Sequence, residues 1–73
     1  MVLKGVKIMK SRYNYYLVES AAESCKFVTR REAENYIGAV DEKIMKGILS
    51  PDEVKYIHLF DKDGDLVVDC SYA

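Results

Sequence analysis

Residues that bind metal or form disulfides are scarce in this chain. Its 73 residues include one histidine and two cysteines, whereas a zinc site takes about four such ligands. Cys25 and Cys70 lie far apart with no Cys-x-x-Cys spacing, so neither a metal centre nor a dithiol redox motif is indicated. Both thiols are expected to be reduced and at least partly buried, with a disulfide between them as the lesser alternative. Long apolar runs are missing too: none approaches the ~18 residues that crossing a bilayer requires. The opening "MVLKGVKIMK" breaks its apolar stretch with lysines and offers no small-residue cleavage site. No signal peptide is therefore expected, and the expected location is cytoplasmic. No glycine-rich oxyanion loop or nucleophile elbow is present. RNP sequences, a GxxG loop and zinc fingers are likewise lacking. No cofactor is expected.

Apolar side chains are plentiful. Hydrophobic residues make up 49% of the sequence, enough for a core rather than a disordered tail, and the length is that of one domain, residues 1–73. The net charge of −1 conceals an asymmetry. Residues 1–31 hold seven basic side chains (Lys4, Lys7, Lys10, Arg12, Lys26, Arg30 and Arg31) against Glu19 and Glu23, while residues 32–73 hold four lysines against ten acids. Either the folded molecule is charge-polarised, which steers encounters with charged partners, or the halves interleave and neutralise one another.

The clearest element is a helix in "TRREAENYIGAVDEKIMKG". Thr29 and Glu32 have the capping-box spacing. Ala33, Tyr36, Ile37, Val40, Ile44 and Ile48 recur at threes and fours, which makes one apolar stripe. Gly47 supplies a left-handed stop, and Gly38, unfavourable inside a helix, is expected to mark close packing against a strand. Phe27 or Val28 is placed to staple the helix start. "SPDE" repeats the start signal with Ser50 as cap and Pro51 in the first position, predicting a single turn.

Residues 54–71 read as a hairpin around "DKDGD". A two-residue turn at Asp63-Gly64 sets Leu59 opposite Val68 and Ile57 opposite Cys70, with Leu66 on the same side. The other side then pairs Phe60 with Val67, His58 with Asp69 and Tyr56 with Ser71. Two further strands are expected at residues 2–10 and 13–20, turning at Lys10-Ser11-Arg12, with "AAESCKFV" as a loop into the helix. The expected fold is α+β: a four-stranded, mainly antiparallel sheet in β-β-α-β-β order with one helix on one face.

"KFVTRREAENYI" and "YIHLFDKDGDLVVDCSY" resemble a group of small bacterial domains of unknown function. Those domains share this element order, a "T-x-x-E-A" helix start and a final "h-D-x-D-G-x" hairpin. The resemblance spans residues 13–73; the helix is longer here and "SPDE" looks like an insertion. It implies a fold and no activity, so no functional residue is carried over.

Three constellations bear on chemistry. Asp61, Asp63 and Asp65 hint at calcium, but an EF-hand loop needs glycine sixth and a bidentate acid twelfth. Counted from Asp61, the glycine is fourth and the twelfth residue is Tyr72; a hairpin turn explains the acids without a metal. His58 opposite Asp69 supplies two members of a triad, yet Cys70 points to the other face and Ser71 ends the strand. A cross-strand polar pair is the simpler reading, and catalysis is not expected. The third constellation is "SRYNYY". Lys4, Lys7, Lys10 and Arg12 lead into Tyr13, Tyr15 and Tyr16, a pattern that could meet phosphates and stack on unpaired bases.

Those tyrosines have another use. Tyr13, Tyr15 and Leu17 share one strand face while Tyr16 and Val18 share the other, and Tyr56, Phe60 and Val67 lie opposite the helix-facing set. One helix covers one sheet face, so the second carries an apolar patch that soluble monomers seldom expose. Tyrosine suits such interfaces because its ring is large and its hydroxyl tolerates water. The sequence thus points to a non-enzymatic interaction or inhibitor-type protein, binding through Tyr13, Tyr15, Tyr16, Tyr56, Phe60 and Val67 as a homodimer or to another protein. Chains this short are common among bacterial and phage regulators. The alternative is a nucleic-acid-binding module using Lys4, Lys7, Lys10 and Arg12.

Overall fold

The computed structural model describes residues 12–72. The expected strand at 2–10, its three lysines and most of the expected turn at 10–12 lie outside these residues. The elements are β1 (Tyr16–Ser20), β2 (Ser24–Phe27), α1 (Arg30–Met45), α2 (Pro51–Val54), β3 (Tyr56–Phe60) and β4 (Leu66–Ser71). The strands form one antiparallel sheet in the order β2-β1-β3-β4. This is the α+β, β-β-α-β-β arrangement that the patterning predicts.

The first hairpin is built from different residues than expected. β1 begins at Tyr16 rather than Tyr13, and β2 occupies the stretch read as a loop. No glycine, proline or asparagine marks the bend between them. Ser20 makes it instead: its backbone N–H donates to the Glu23 carbonyl at 2.9 Å. Its hydroxyl oxygen accepts from the N–H groups of Ala22 and Glu23, each at 3.2 Å. A serine hydroxyl that substitutes for backbone partners is a weak turn signal, easily missed beside glycine and proline.

α1 starts as the capping box requires, with Glu32 N–H donating to the Thr29 hydroxyl and Thr29 N–H donating to the Glu32 carboxylate. It ends at Gly47, whose φ of 78° needs the left-handed region. Ser50 and Glu53 cap α2 in the same way. Two expectations about α1 fail. Gly38 is exposed, and a Cβ added there meets nothing within 4 Å, so it marks no close packing. Ile48 is 67% exposed; Leu49, beyond the left-handed turn, packs on the core in its place. Phe27 rather than Val28 meets the helix, its ring 5.4 Å from that of Tyr36.

The core lies between α1 and one sheet face. Val18, Ala33, Val54, Ile57 and Leu59 are fully enclosed, and Tyr16, Phe27, Tyr36, Val40 and Val68 pack around them. Val18 pairs with Leu59, which pairs with Val68, so one apolar row crosses three strands under the helix. Burying each such side chain stabilises the fold by about 1.5–3 kcal/mol. The cysteines are free, as expected, and stand on the outer strands β2 and β4 with two strands between them. That separation rules out the disulfide alternative.

The second hairpin keeps its expected pairs from Leu59–Val68 to Tyr56–Ser71 and departs from them near the turn. Phe60 pairs with Leu66, not Val67, which has no partner, and Leu66 is 47% exposed instead of sitting under the helix. The cause is the turn itself. Asp61 N–H donates to the Asp65 carbonyl and Gly64 N–H to the Asp61 carbonyl, leaving three residues in the loop with Gly64 at φ 87°. A three-residue loop closed by a left-handed glycine shifts the register by one relative to a two-residue turn, and the strand recovers it with a bulge at Val67.

Candidate protein-binding face

Strand alternation assigns the side chains that the helix leaves uncovered. On β1 they are Leu17 and Glu19; on β3, Tyr56, His58 and Phe60; on the outer strands, Lys26 and Asp69. Tyr15, just before β1, continues the row of Leu17 and Glu19. Among the described residues no helix lies over this face.

The aromatics on it touch one another. Tyr56 lies 4.6 Å from His58 between ring centres, and His58 meets Phe60 edge-on at 6.1 Å. Leu17 pairs with Phe60, and at the end of β1 the rings of Tyr13 and Tyr15 are 5.4 Å apart. Tyr13 is held there by its backbone, whose N–H donates to the Lys62 carbonyl at 2.7 Å. Lys26 places its ammonium 4.7 Å from the centre of the Tyr15 ring, a cation–π contact. Tyr13, Tyr15, Leu17, Glu19, Phe60 and Asp61 surround a concavity of about 260 Å³ at the hairpin end.

Of the six residues expected at an interface, Tyr13, Tyr15, Tyr56 and Phe60 thus share one surface. Tyr16 does not. It pairs with Phe27 and packs against the core on the helix side, with the Lys62 ammonium 5.6 Å from its ring centre. Val67 is exposed at the bulge, displaced from Phe60 by the three-residue turn. Leu17 and His58 belong to the face but were not among the six. Their alternation with Val18 and Leu59 was the available signal. Arg12 is the one member of the basic set within the described residues. Its guanidinium lies 3.5 Å from where a Cβ on Gly64 would be, beside Tyr13.

His58 and Asp69 pair as expected, with Nε2 donating to Oδ1 at 3.1 Å. Glu19 lies opposite His58 on the other side, so a polar row Glu19–His58–Asp69 crosses the sheet. Ser71 pairs with Tyr56, one pair further along, and Cys70 pairs with Ile57 on the helix-facing side. The arrangement orients an imidazole within a sheet, and neither Ser71 nor Cys70 is its cross-strand partner. The acidic turn has a structural role. Asp61 Oδ1 accepts from the N–H groups of Asp63 at 2.9 Å and Asp65 at 3.0 Å. The three carboxylates have oxygens within 4.8 Å of one another, and the hydrogen bonds account for Asp61 as a turn residue.

On the opposite side, Tyr36 and Tyr72 tie the helix down. The Tyr36 hydroxyl donates to the Glu23 carboxylate beside the first turn, and the Tyr72 hydroxyl donates to Asp41 Oδ1 at 3.1 Å. Burial, then the bond to Glu23, pushes the Tyr36 phenol well above its ordinary value. Burial, then the bond to Asp41, pushes Tyr72 up to about 12. Between α1 and the sheet, Val18, Val40, Val54 and Ile57 line a second space of about 240 Å³, with Tyr36 and Glu23 at its edge. Comparison of the chain with protein-family models, curated proteins and solved structures yields no match, so the resemblance to small bacterial domains rests on its motifs alone.

Proposed function

We propose that this chain is a non-catalytic binding protein that docks another protein, first of all a second copy of itself, on the sheet face opposite α1. The observation that carries this reading is the continuous aromatic surface of Tyr13, Tyr15, Phe60 and Tyr56, joined by Leu17 and His58, with no described helix over it. Large rings with polar tips contribute much contact area at small entropic cost. The face also carries both charge signs, with Lys26 near one edge and Glu19 and Asp69 further across. A two-fold dimer requires a self-complementary patch of this kind.

Sedimentation at micromolar concentration tests it. The expected mass is about twice 8.4 kDa, and Phe60→Asp or Tyr56→Asp is expected to halve it while the far-ultraviolet helix signal persists. A wild-type monomer throughout that range removes the second copy as the occupant. Arg12 beside the Tyr13–Tyr15 pair supports a second reading, an unpaired nucleic-acid strand on the same rings.

A further inference from the structure

The concavity at the hairpin end has a chemistry of its own. Its walls are the rings of Tyr13, Tyr15 and Phe60 with Gly64, and its charged lining groups among the described residues are Glu19 and Asp61, both acidic. The Arg12 guanidinium stands beside Gly64 and Tyr13 at its rim. Ring faces and carboxylates each attract positive charge and repel negative charge. The volume falls below the roughly 300–1,000 Å³ of drug-sized sites, which suits one side chain rather than a larger ligand. Among the described residues neither carboxylate forms an ion pair. Asp61 is nevertheless held in place, because one of its oxygens accepts two backbone N–H bonds within the turn. Tyr15 already has a cation near its ring in Lys26, so these rings are placed where positive groups approach.

We propose that the concavity receives an arginine side chain presented by the protein docked on this face, an inference that rests on the protein-binding reading above. The planar guanidinium stacks on an aromatic ring and donates paired hydrogen bonds to a carboxylate, which a compact ammonium does less well. Glu19 is the expected acceptor, since Asp61 has one oxygen committed to the turn.

The 73-residue chain is titrated with n-butylguanidinium, an arginine side chain together with its Cα carbon, and with n-butylurea, its uncharged isostere, while amide and tyrosine ring signals are followed by NMR. The guanidinium is expected to give saturable shifts at Leu17, Phe60 and Gly64 and at the Tyr13 and Tyr15 rings, with binding about tenfold weaker for the urea. Glu19→Gln is expected to weaken the guanidinium by a similar factor, and Tyr15→Leu to weaken it independently of charge. In a dimeric sample the cation should also lower the average mass, by competing for the pocket. Equal response to both probes, or shifts spread over all exposed carboxylates, overturns the assignment. A chain that self-associates yet ignores butylguanidinium in both shift and mass loses the pocket and keeps the dimer. A monomer that binds it selectively keeps the pocket and removes the second copy as the docked protein.

Discussion

Two tyrosine hydroxyls fasten α1 to the sheet at separate places, Tyr36 to Glu23 near β2 and Tyr72 to Asp41 beyond β4. Each holds its proton more tightly in the folded chain than a free tyrosine, whose pKa is about 10. Below about pH 10 the phenols are protonated in both folded and unfolded chains, so their contribution to stability is complete and constant. As pH rises past 10 the unfolded chain releases these protons first, and stability falls until the folded phenols ionise, at about 12 for Tyr72. Denaturant melts monitored across alkaline pH, with tyrosinate absorbance as the second signal, are expected to show a decline beginning near 10. Tyr72→Phe should make that decline shallower. A decline of unchanged depth in the variant would mean that Tyr72 is not linked to folding. At this scale the two hydroxyl bonds tie the helix to its neighbours, while burial of Val18, Ile57 and Leu59 contributes about 1.5–3 kcal/mol for each side chain.

Glycines inside and between the elements differ in what they tolerate. Gly38 lies in an exposed helical position with open space around its Cα. Gly38→Ala is expected to raise stability by up to about 1 kcal/mol through helix propensity and a less flexible unfolded chain. Gly64 has φ 87°, and a Cβ there would come within 3.2 Å of the Tyr13 ring. Gly64→Ala is expected to lose about 1–2 kcal/mol from the left-handed backbone, with a further loss from displacing Tyr13. Urea melts of the two variants should shift in opposite directions, and a destabilised Gly38→Ala would contradict the open geometry at that position. Gly64 therefore serves two purposes, closing the second hairpin and leaving room for a ring of the binding face. That link between turn and face makes the three-residue loop relevant to function as well as to register.

Across the whole molecule, β2 and β1 come from the basic part of the sequence and β3 and β4 from the acidic part, so the halves lie side by side in the sheet instead of alternating. Within residues 12–31, however, the basic set shrinks to Arg12, Lys26, Arg30 and Arg31 against Glu19 and Glu23. Much of the asymmetry thus resides in Lys4, Lys7 and Lys10. Nucleic-acid binding would make affinity fall steeply with salt, and Lys7→Ala, Lys10→Ala and Arg12→Ala would each flatten that slope. Tyr15→Ala would then cost single strands more than duplex. Protein docking gives a different pattern, with the tyrosine change loosening the complex and the lysine changes mattering little where exposed charges are screened beyond about 8 Å. Mobility shifts over a salt series are expected to show the second pattern. Tight, salt-sensitive binding of the wild type would favour the nucleic-acid reading.

Local chemistry determines much of this fold without reference to long-range contacts. The capping boxes at Thr29 and Ser50 and the stop at Gly47 act over a few residues, and each is where the spacing places it. The second turn falls in the expected segment but closes as a three-residue loop, not the two-residue turn at Asp63-Gly64. The pairs from Leu59–Val68 to Tyr56–Ser71 follow because side chains alternate, and a buried face penalises any slip by one residue. Features that depended on distant partners were decided only in three dimensions. β2 is short, half polar and joined by an unmarked turn; it is a strand because β1 lies beside it and pairs with it. Tyr15 and Tyr16 are neighbours of one residue type, yet Lys26 meets one on the open face and Phe27 pairs with the other on the helix-facing side. Alternation along "SRYNYY" puts them on opposite faces, but only the structure decides that the helix covers the face of Tyr16. The concavity belongs to neither hairpin alone, since Tyr13, Tyr15 and Glu19 reach it from one and Phe60 and Asp61 from the other. Its existence depends on β1 pairing with β3 across the helical segment, a contact that the pattern within either hairpin does not encode.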